Sequence, residues 1–451
     1  MNLKDKYIGS VKLAAIGDAL GWITEFEKSR NNLKIKYGTD YIIKFYDWEK
    51  KVGGRFNGYI DYIKKGSYSD DTQLLLSVAR SIKQNGFLDK EYFSKIELPA
   101  WLMYSRGAGR TIKNAARKIM RKSAKWNNNY FTYNSGKTKL DYRDSGANGA
   151  AMRILPIPLA NLGNVGKINE EIFSNSIATH GHPRAIIAAM LYGNAVNLVL
   201  QLKPEKYDYS SLLVELGKDI NLKLSIPFID KPLYRYWENQ WNNKAKVAFR
   251  KLFEYTLNET QEYLRITYKS LLSNTSDDET LSKLGCYSDE SKGSGISTVI
   301  AGIYLSCKYN NEPLKSIEQA VNMLGADTDS IAAFAGGMVG ALHGQTIIPE
   351  EWKIVQDYDY LDKVANGLLD VANNKHVNQA KENVNSLDLF NDFSSDSFDK
   401  GDQIIFNPLG KGIITNIDRQ KTLTKGKYNL IVDVEFKIGQ SCRFSKLLKE
   451  K

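Results

Sequence analysis

Two carboxylate pairs stand far apart in the chain, in Ser69-Asp70-Asp71-Thr72 and in Asp327-Thr328-Asp329-Ser330, each directly before an apolar stretch of helical periodicity. Four carboxylates with flanking hydroxyls, in a protein with only four histidines and three cysteines, describe a hard-cation site built from oxygen ligands, for one or two Mg²⁺ or Mn²⁺ ions. Adjacent and i,i+2 residues do not share a helix face, so each pair converges on one point only from a loop or a first helical turn. An Asp at a helix start is also an ordinary cap that needs no metal. Either motif alone reads as a cap; the two together, with further motifs between them, point to a ligand set.

Those further motifs supply the rest of a site. Gly17 and Gly21 interrupt an apolar helix and allow another element close, after which Glu25 is expected in a loop, where its carboxylate would orient or deprotonate water. The segment Ser145–Arg153 (SGANGAAMR) is expected to open a helix after a Gly-rich turn, a place where backbone N–H groups cradle phosphate. Arg106-Gly107-Ala108-Gly109-Arg110 offers a second such turn with two guanidiniums. In Thr179-His180-Gly181-His182-Pro183, His180 reads as a substrate contact and His182 as structural. Ser276-Asp277-Asp278 echoes the first motif, but its polar neighbours make it a solvated loop.

The elements that must position these residues are mostly helices. Leu74, Leu75, Val78 and Ile82 recur at helical spacing, as do Ile187, Met190, Leu191, Ala195 and Leu198, and again Ile331, Phe334, Ala335 and Met338. Residues 1–380 therefore read as an all-α domain, with 203–290, dense in aromatics and Lys, as a variable insertion of helices and surface loops. The acidic, Ser-rich stretch within 381–399 reads as a linker. Beyond it Leu430, Val432, Val434 and Phe436 alternate with Ile431, Asp433 and Glu435, so residues 400–451 read as a small β-barrel.

Of the net charge of +11, residues 400–451 supply +6, from 11 Lys and Arg against 5 Asp and Glu. Such a tail suits an anionic partner, or is simply a Lys-rich solvated surface. The cysteines Cys286, Cys307 and Cys442 lack CxxC spacing, which argues against zinc and disulfides and for a reducing compartment. With no signal-peptide pattern and no apolar run long enough to span a bilayer, the expected location is cytoplasmic.

The motifs GDALGWITE, YSDDTQLLL, GANGAAMRILP, THGHPRA and GADTDSIAAFAGGMVGALHG, in this order, resemble those of the ADP-ribosylglycohydrolases over roughly residues 5–355. The resemblance implies an all-helical fold around a binuclear Mg²⁺ or Mn²⁺ site. It implies Ser69, Asp70, Asp71, Asp327, Asp329 and Ser330 as metal ligands and Glu25 and Asp70 as catalytic. It implies that Gly146, Asn148, Gly149, Met152 and His180 bind substrate. The family often has Thr where Ser69 and Ser330 stand, and Pro where Ile23 stands. The implied reaction is hydrolysis of the glycosidic bond between ADP-ribose and an acceptor. Two other classes remain open: a non-catalytic ADP-ribose-binding module, and a hydrolase of another ribosylated small molecule recruited by the C-terminal barrel. That barrel is similar to the small Tudor/SH3-like modules that end some bacterial helicases, which implies contact with nucleic acid or transcription machinery.

Overall fold

The computed structural model describes residues 2–375 and 398–450; most of the expected linker, 381–397, lies outside the described residues. Helix α1 (Leu3–Thr24) begins at Asn2, whose side chain accepts from the Asp5 N–H, and runs through the centre of the molecule. It is buried on nearly every side rather than amphipathic, because several helices cover it together. Even Lys12 is buried; its ammonium pairs with Asp362 at 2.8 Å and lies 3.4 Å from the Tyr358 ring centre.

Helix α2 (Asp70–Ser81) starts at Ser69, α3 (Arg110–Ile119) at Gly109, and α4 (Pro183–Leu200) at His182. Helix α5 (Gly295–Lys308) and helix α6 (Thr328–His343) follow. By length and composition alone α4 is long and apolar enough to cross a membrane, contrary to the expectation that no run was. Its most apolar window is 89% buried inside the fold, the surroundings of a core helix.

Among the described elements α1 and α6 pack with their backbones in direct contact, and glycine makes it possible. A Cβ on Gly17 would stand 2.2 Å from the Ala332 carbonyl oxygen, and one on Gly336 2.1 Å from that of Leu13. Gly21 lies in the same way against Thr328, and Gly340 against Gly9. Backbone meets backbone along this seam, which fixes the start of α6 beside the end of α1.

The helical body also holds two short antiparallel hairpins that helical periodicity did not foresee. Strand β1 (Trp48–Val52) pairs with β2 (Tyr59–Ile63), and β3 (Thr132–Ser135) with β4 (Thr138–Asp141). Five-residue and four-residue strands are too short to show a clear period of two. The fold is thus mostly helical rather than all-α.

Near the C-terminus, β5 (Gln403–Phe406), β6 (Gly410–Lys421), β7 (Lys427–Phe436) and β8 (Ser441–Lys449) form an antiparallel sheet in sequential order. Among the described residues the ladder runs from β5 to β8 and the expected barrel closure is not seen. Ile431, expected on the outer face, is buried as fully as Leu430 and Val432. The sheet lies on the helical body. Phe406 and Phe444 meet the Tyr104 ring edge-on at 6.3 and 5.8 Å, and the Asp357 carboxylate accepts from the Ser441 N–H at 3.0 Å. Arg443 binds Asp433 and, at 3.0 Å, Asp61 on β2; Asp61 also holds Arg106 through two 3.0 Å bonds.

Candidate active site

A cavity of about 400 Å³ opens where the end of α1 and the starts of α2, α3 and α6 meet. Glu25, Asp70, Asp71, Asp327, Asp329 and Ser330 line one side, and Asn148, Gly149, Met152 and His180 another. Residues more than 250 positions apart touch there: the Ser330 hydroxyl donates to Asp71 Oδ2 at 2.7 Å.

The carboxylates are not spent as caps. At α2 the cap is Ser69, whose Oγ accepts from the Asp71 N–H at 3.2 Å. At α6, Asp327 occupies the cap position without a side-chain cap bond. Ser69 is buried behind the cavity rather than on its wall, and Gly146 is also set back, its carbonyl accepting from the Gly295 N–H at 3.0 Å. Glu25 is not in an open loop: it caps the C-terminus of α1, with its N–H on the Gly21 carbonyl.

Asp18, inside the GDALG motif, is the residue that sequence reasoning passed over. Fully buried, its carboxylate accepts from the Ser69 N–H at 3.0 Å, the Thr72 N–H at 3.0 Å and the Thr72 hydroxyl at 2.6 Å. It therefore holds the turn that aims Asp70 and Asp71. Its spacing from Glu25 carried no sign of this, since the partner is 51 residues away.

The segment expected to open a helix is a short 3₁₀ stretch, Asn148–Arg153. Its start is stitched to the loop before α5: the Asn148 N–H donates to the Gly293 carbonyl at 2.9 Å, and Asn148 Nδ2 to Asp327 Oδ2 at 3.3 Å. Gly293 has φ +76°, and a Cβ there would lie 2.8 Å from Asp327 Oδ2. Buried Arg153 anchors the stretch through Gly149, Asn175 and Thr179. His180 is packed against Gly149 and receives or gives a 2.8 Å hydrogen bond with the Thr179 hydroxyl. Burial, and then the Arg153 charge, push its imidazole down to about 3, so it is neutral at working pH.

Within residues 203–290, Trp237 and Trp241 buttress this wall from behind. The Trp241 indole N–H donates to the Gly181 carbonyl at 2.9 Å, and that of Trp237 to the Tyr142 hydroxyl at 3.1 Å. Asp277 is likewise no solvated loop residue. Beside the cap Ser276 it accepts from Lys308 at 2.7 Å and from the Tyr309 hydroxyl at 2.6 Å. It serves structure far from the cavity wall.

The two guanidiniums of the RGAGR turn are divided. Arg110 lines the cavity, whereas Arg106 is tied to Asp61. Lys292 also lines it. Its only sequence signal is its place in a Ser/Gly turn before an apolar helix. Trp22 Nε1 is buried without a hydrogen-bond acceptor among the described residues, beside Gly107 and Asp70.

The donor set fits Mg²⁺ or Mn²⁺ in chemistry: carboxylates and a hydroxyl, with no thiolate. Among the described residues no three His, Cys, Asp or Glu side chains close into a finished ion cage, so the fit is of donor type. Crowding supports it. Burial first, and then Asp327, raise the Glu25 carboxyl well above the carboxylate range, against Lys50 and Lys292. Burial, then Glu25, Asp327 and Asp71, do the same to Asp329, and burial with Asp18 brings Asp70 up to about 7. A cation between such groups removes the repulsion.

A family model described as ADP-ribosylglycohydrolase matches residues 1–378. The chain belongs to the ADP-ribosylglycohydrolase family. It is similar to the ADP-ribosyl-[dinitrogen reductase] glycohydrolase of Rhodospirillum rubrum, 30% identical over 199 residues, which span 44% of this chain and 58% of that protein. It is 23% identical over 320 residues to ADP-ribosylhydrolase ARH3 of Gallus gallus, covering 67% of this chain and 77% of that one. With the ADP-ribosylarginine hydrolase Tri1 of Serratia proteamaculans it shares 22% identity over 362 residues, 78% of this chain and 76% of that one. A solved structure titled ADP-ribosylglycohydrolase-related protein complex shares the fold, with a TM-score of 0.51 at 17% identity, over 82% of this chain and 99% of that one.

Proposed function

We propose that this protein hydrolyses the glycosidic bond between ADP-ribose and an acceptor, with two divalent cations, Mg²⁺ or Mn²⁺, held by Asp70, Asp71, Asp327, Asp329 and Ser330. Ser69 Oγ is the weakest candidate ligand, being engaged as the α2 cap. The observation that carries the reading is the meeting of both Asp pairs and Glu25 on one cavity with the Asn148–His180 wall. The cations, when bound, would polarise the ribose hydroxyls and a water. Glu25 and Asp70 orient that water and take its proton. Neutral His180 and the Asn148–Met152 backbone position the nucleotide, while Arg110 and Lys292 sit where phosphate charge is neutralised. The acceptor leaves from the anomeric carbon with the proton that the carboxylate has gathered.

The activities for which these relatives are named support the same chemistry, and the three buried, unpaired cysteines suit the reducing cytoplasm. The test is release of free ADP-ribose from a panel of ADP-ribosylated acceptors by wild type and Asp329→Ala, with and without EDTA. Wild type with Mg²⁺ or Mn²⁺ turns over; the variant and the chelated enzyme do not, and restored metal rescues only wild type. Full turnover in EDTA would end the metal mechanism.

A further inference from the structure

Between Glu97 and Asp141 the chain carries ten Lys and Arg and no Asp or Glu. Helix α3 lies in this stretch. Its apolar stripe, Ile112, Ala115, Ala116 and Ile119, faces the core; Arg110 lines the active-site cavity, while Arg117 is exposed and Lys118 half-buried near its end. Arg117, Lys118, Arg121, Lys122 and Lys125 make no ion pair among the described residues, although acidic partners elsewhere tie up many of the chain's cations. A field of one sign, so extended and so little compensated, is not what a mixed-charge protein partner calls for.

The cations lead somewhere. A second cavity, of about 470 Å³, lies at the far end of α3, lined by Lys118, Arg121, Arg143 and Lys244, with the amides of Asn128 and Asn243. The ring of Tyr130 forms part of its wall, with the Arg143 guanidinium 4.8 Å from the ring centre. Asp141 is the only acid on this lining, and it is already paired with Arg143 at 2.6 Å. Cations beside amides and aromatic walls suit phosphates and bases together.

This cavity and the carboxylate site share two elements. The first turn of α3 lines the active site through Arg110 and Thr111, and its last turn reaches the basic cleft through Lys118, about 12 Å further along the axis. Tyr133 of β3 lines the first and Thr132 the second; the Thr111 and Tyr133 hydroxyls, 2.7 Å apart, tie the two elements.

We propose that the outer face of α3 and the cleft at its end bind single-stranded nucleic acid and so present an ADP-ribosylated strand to the active site. The binding half stands on charge and shape alone; the presentation half rests on the hydrolase reading above. The strand's phosphates follow Arg117, Lys118, Arg121 and Lys122, and one nucleotide enters the cleft.

The test uses the full chain and a fluorescent single-stranded oligonucleotide of about 16 nucleotides, the upper site size of small single-strand binders. Anisotropy titrations over a salt series compare wild type with Lys118→Glu/Arg121→Glu/Lys244→Glu, three positions outside the active site. The variant should bind at least about tenfold more weakly, and its log Kd–log salt slope should fall by about 2, from about 0.7 per lost phosphate contact. Absent binding by wild type, an unchanged affinity in the variant, or equal binding of polyglutamate would each overturn the proposal, the last in favour of an acidic protein partner. A second arm compares ADP-ribose release from a modified oligonucleotide and from ADP-ribosyl-arginine. The variant should lose kcat/KM on the oligonucleotide only; equal retention on both overturns presentation. If wild type cleaves neither compound, the hydrolase reading and with it presentation fail, while the titration still decides the binding.

Discussion

Replacing Gly21 by Ala probes the seam that brings the two Asp pairs together. The new methyl would lie 2.4 Å from the Thr328 carbonyl oxygen and 2.5 Å from Asp329 Cα, whereas ordinary contact begins near 3.4 Å. Both neighbours are backbone, so no side chain can swing aside, and α1 and α6 must part locally by about 1 Å. The overpacking costs about 1–3 kcal/mol of stability. The larger effect is on chemistry, because Asp327 and Asp329 move relative to Asp70 and Asp71, and a 1 Å misplacement costs about 100-fold in rate. Gly340→Ala is the control. Its methyl would stand 2.2 Å from the Gly9 carbonyl carbon, yet it lies about 18 Å along α6 from Thr328. It should cost similar stability with far less turnover. Urea midpoints and kcat/KM for ADP-ribose release measure the two effects. Wild-type turnover in Gly21→Ala, or an equal loss in Gly340→Ala, would refute the claim that the seam sets the site.

Asp18→Asn leaves one neutral acceptor oxygen for the Ser69 and Thr72 donors and sets an NH2 among them; a loss of about 1–3 kcal/mol and a fall in kcat are expected, read by urea midpoint and turnover. His180 takes no proton in the fold until about pH 3 but does so near 6.5 when unfolded, so its share of stability is full above pH 6.5 and is lost as pH falls toward 3. The slope approaches about 1.4 kcal/mol per pH unit, and it should be shallower in His180→Gln by urea midpoints in descending pH steps. The raised carboxyls act with the opposite sign in both proteins, so the difference isolates the imidazole. Removing residues 398–450 should lower both thermal stability and turnover, because Tyr104 loses its aromatic cover and Asp61 one of its two arginines; an unchanged melting curve would show the sheet to be a passive appendage.

The site was legible where chemistry is carried by local patterns. Asp70, Asp71, Asp327 and Asp329 announced themselves by type and by their place before apolar helices, and the helices followed from periodicity. What stayed hidden depends on contacts between distant segments. Asp18 looked like one more polar residue in an apolar helix, because its acceptor role exists only once Ser69 and Thr72 fold over it. The role of Glu25 as a helix C-cap, the β1–β2 and β3–β4 hairpins, and the pairing of Asp277 with Lys308 and Tyr309 were lost in the same way. The sheet's alternation was visible, but its attachment through Arg443 and Asp61 was not, since charged residues on a strand read as solvent-facing until their partners arrive.

The link from Arg443 through Asp61 to Arg106 sets an order on biosynthesis. Arg106 begins the turn that lays Gly107 against Asp70, so close that a Cβ on Gly107 would stand 3.0 Å from Asp70 Oδ1. Translation delivers Arg106 and Asp61 early and Arg443 hundreds of codons later. A nascent chain can assemble its helices as they emerge, yet this side of the cavity receives the Arg443 brace only when β8 docks. A chain released before β8 is made would therefore carry the helical body and both Asp pairs but lack the Arg443 strut behind the turn at Arg106.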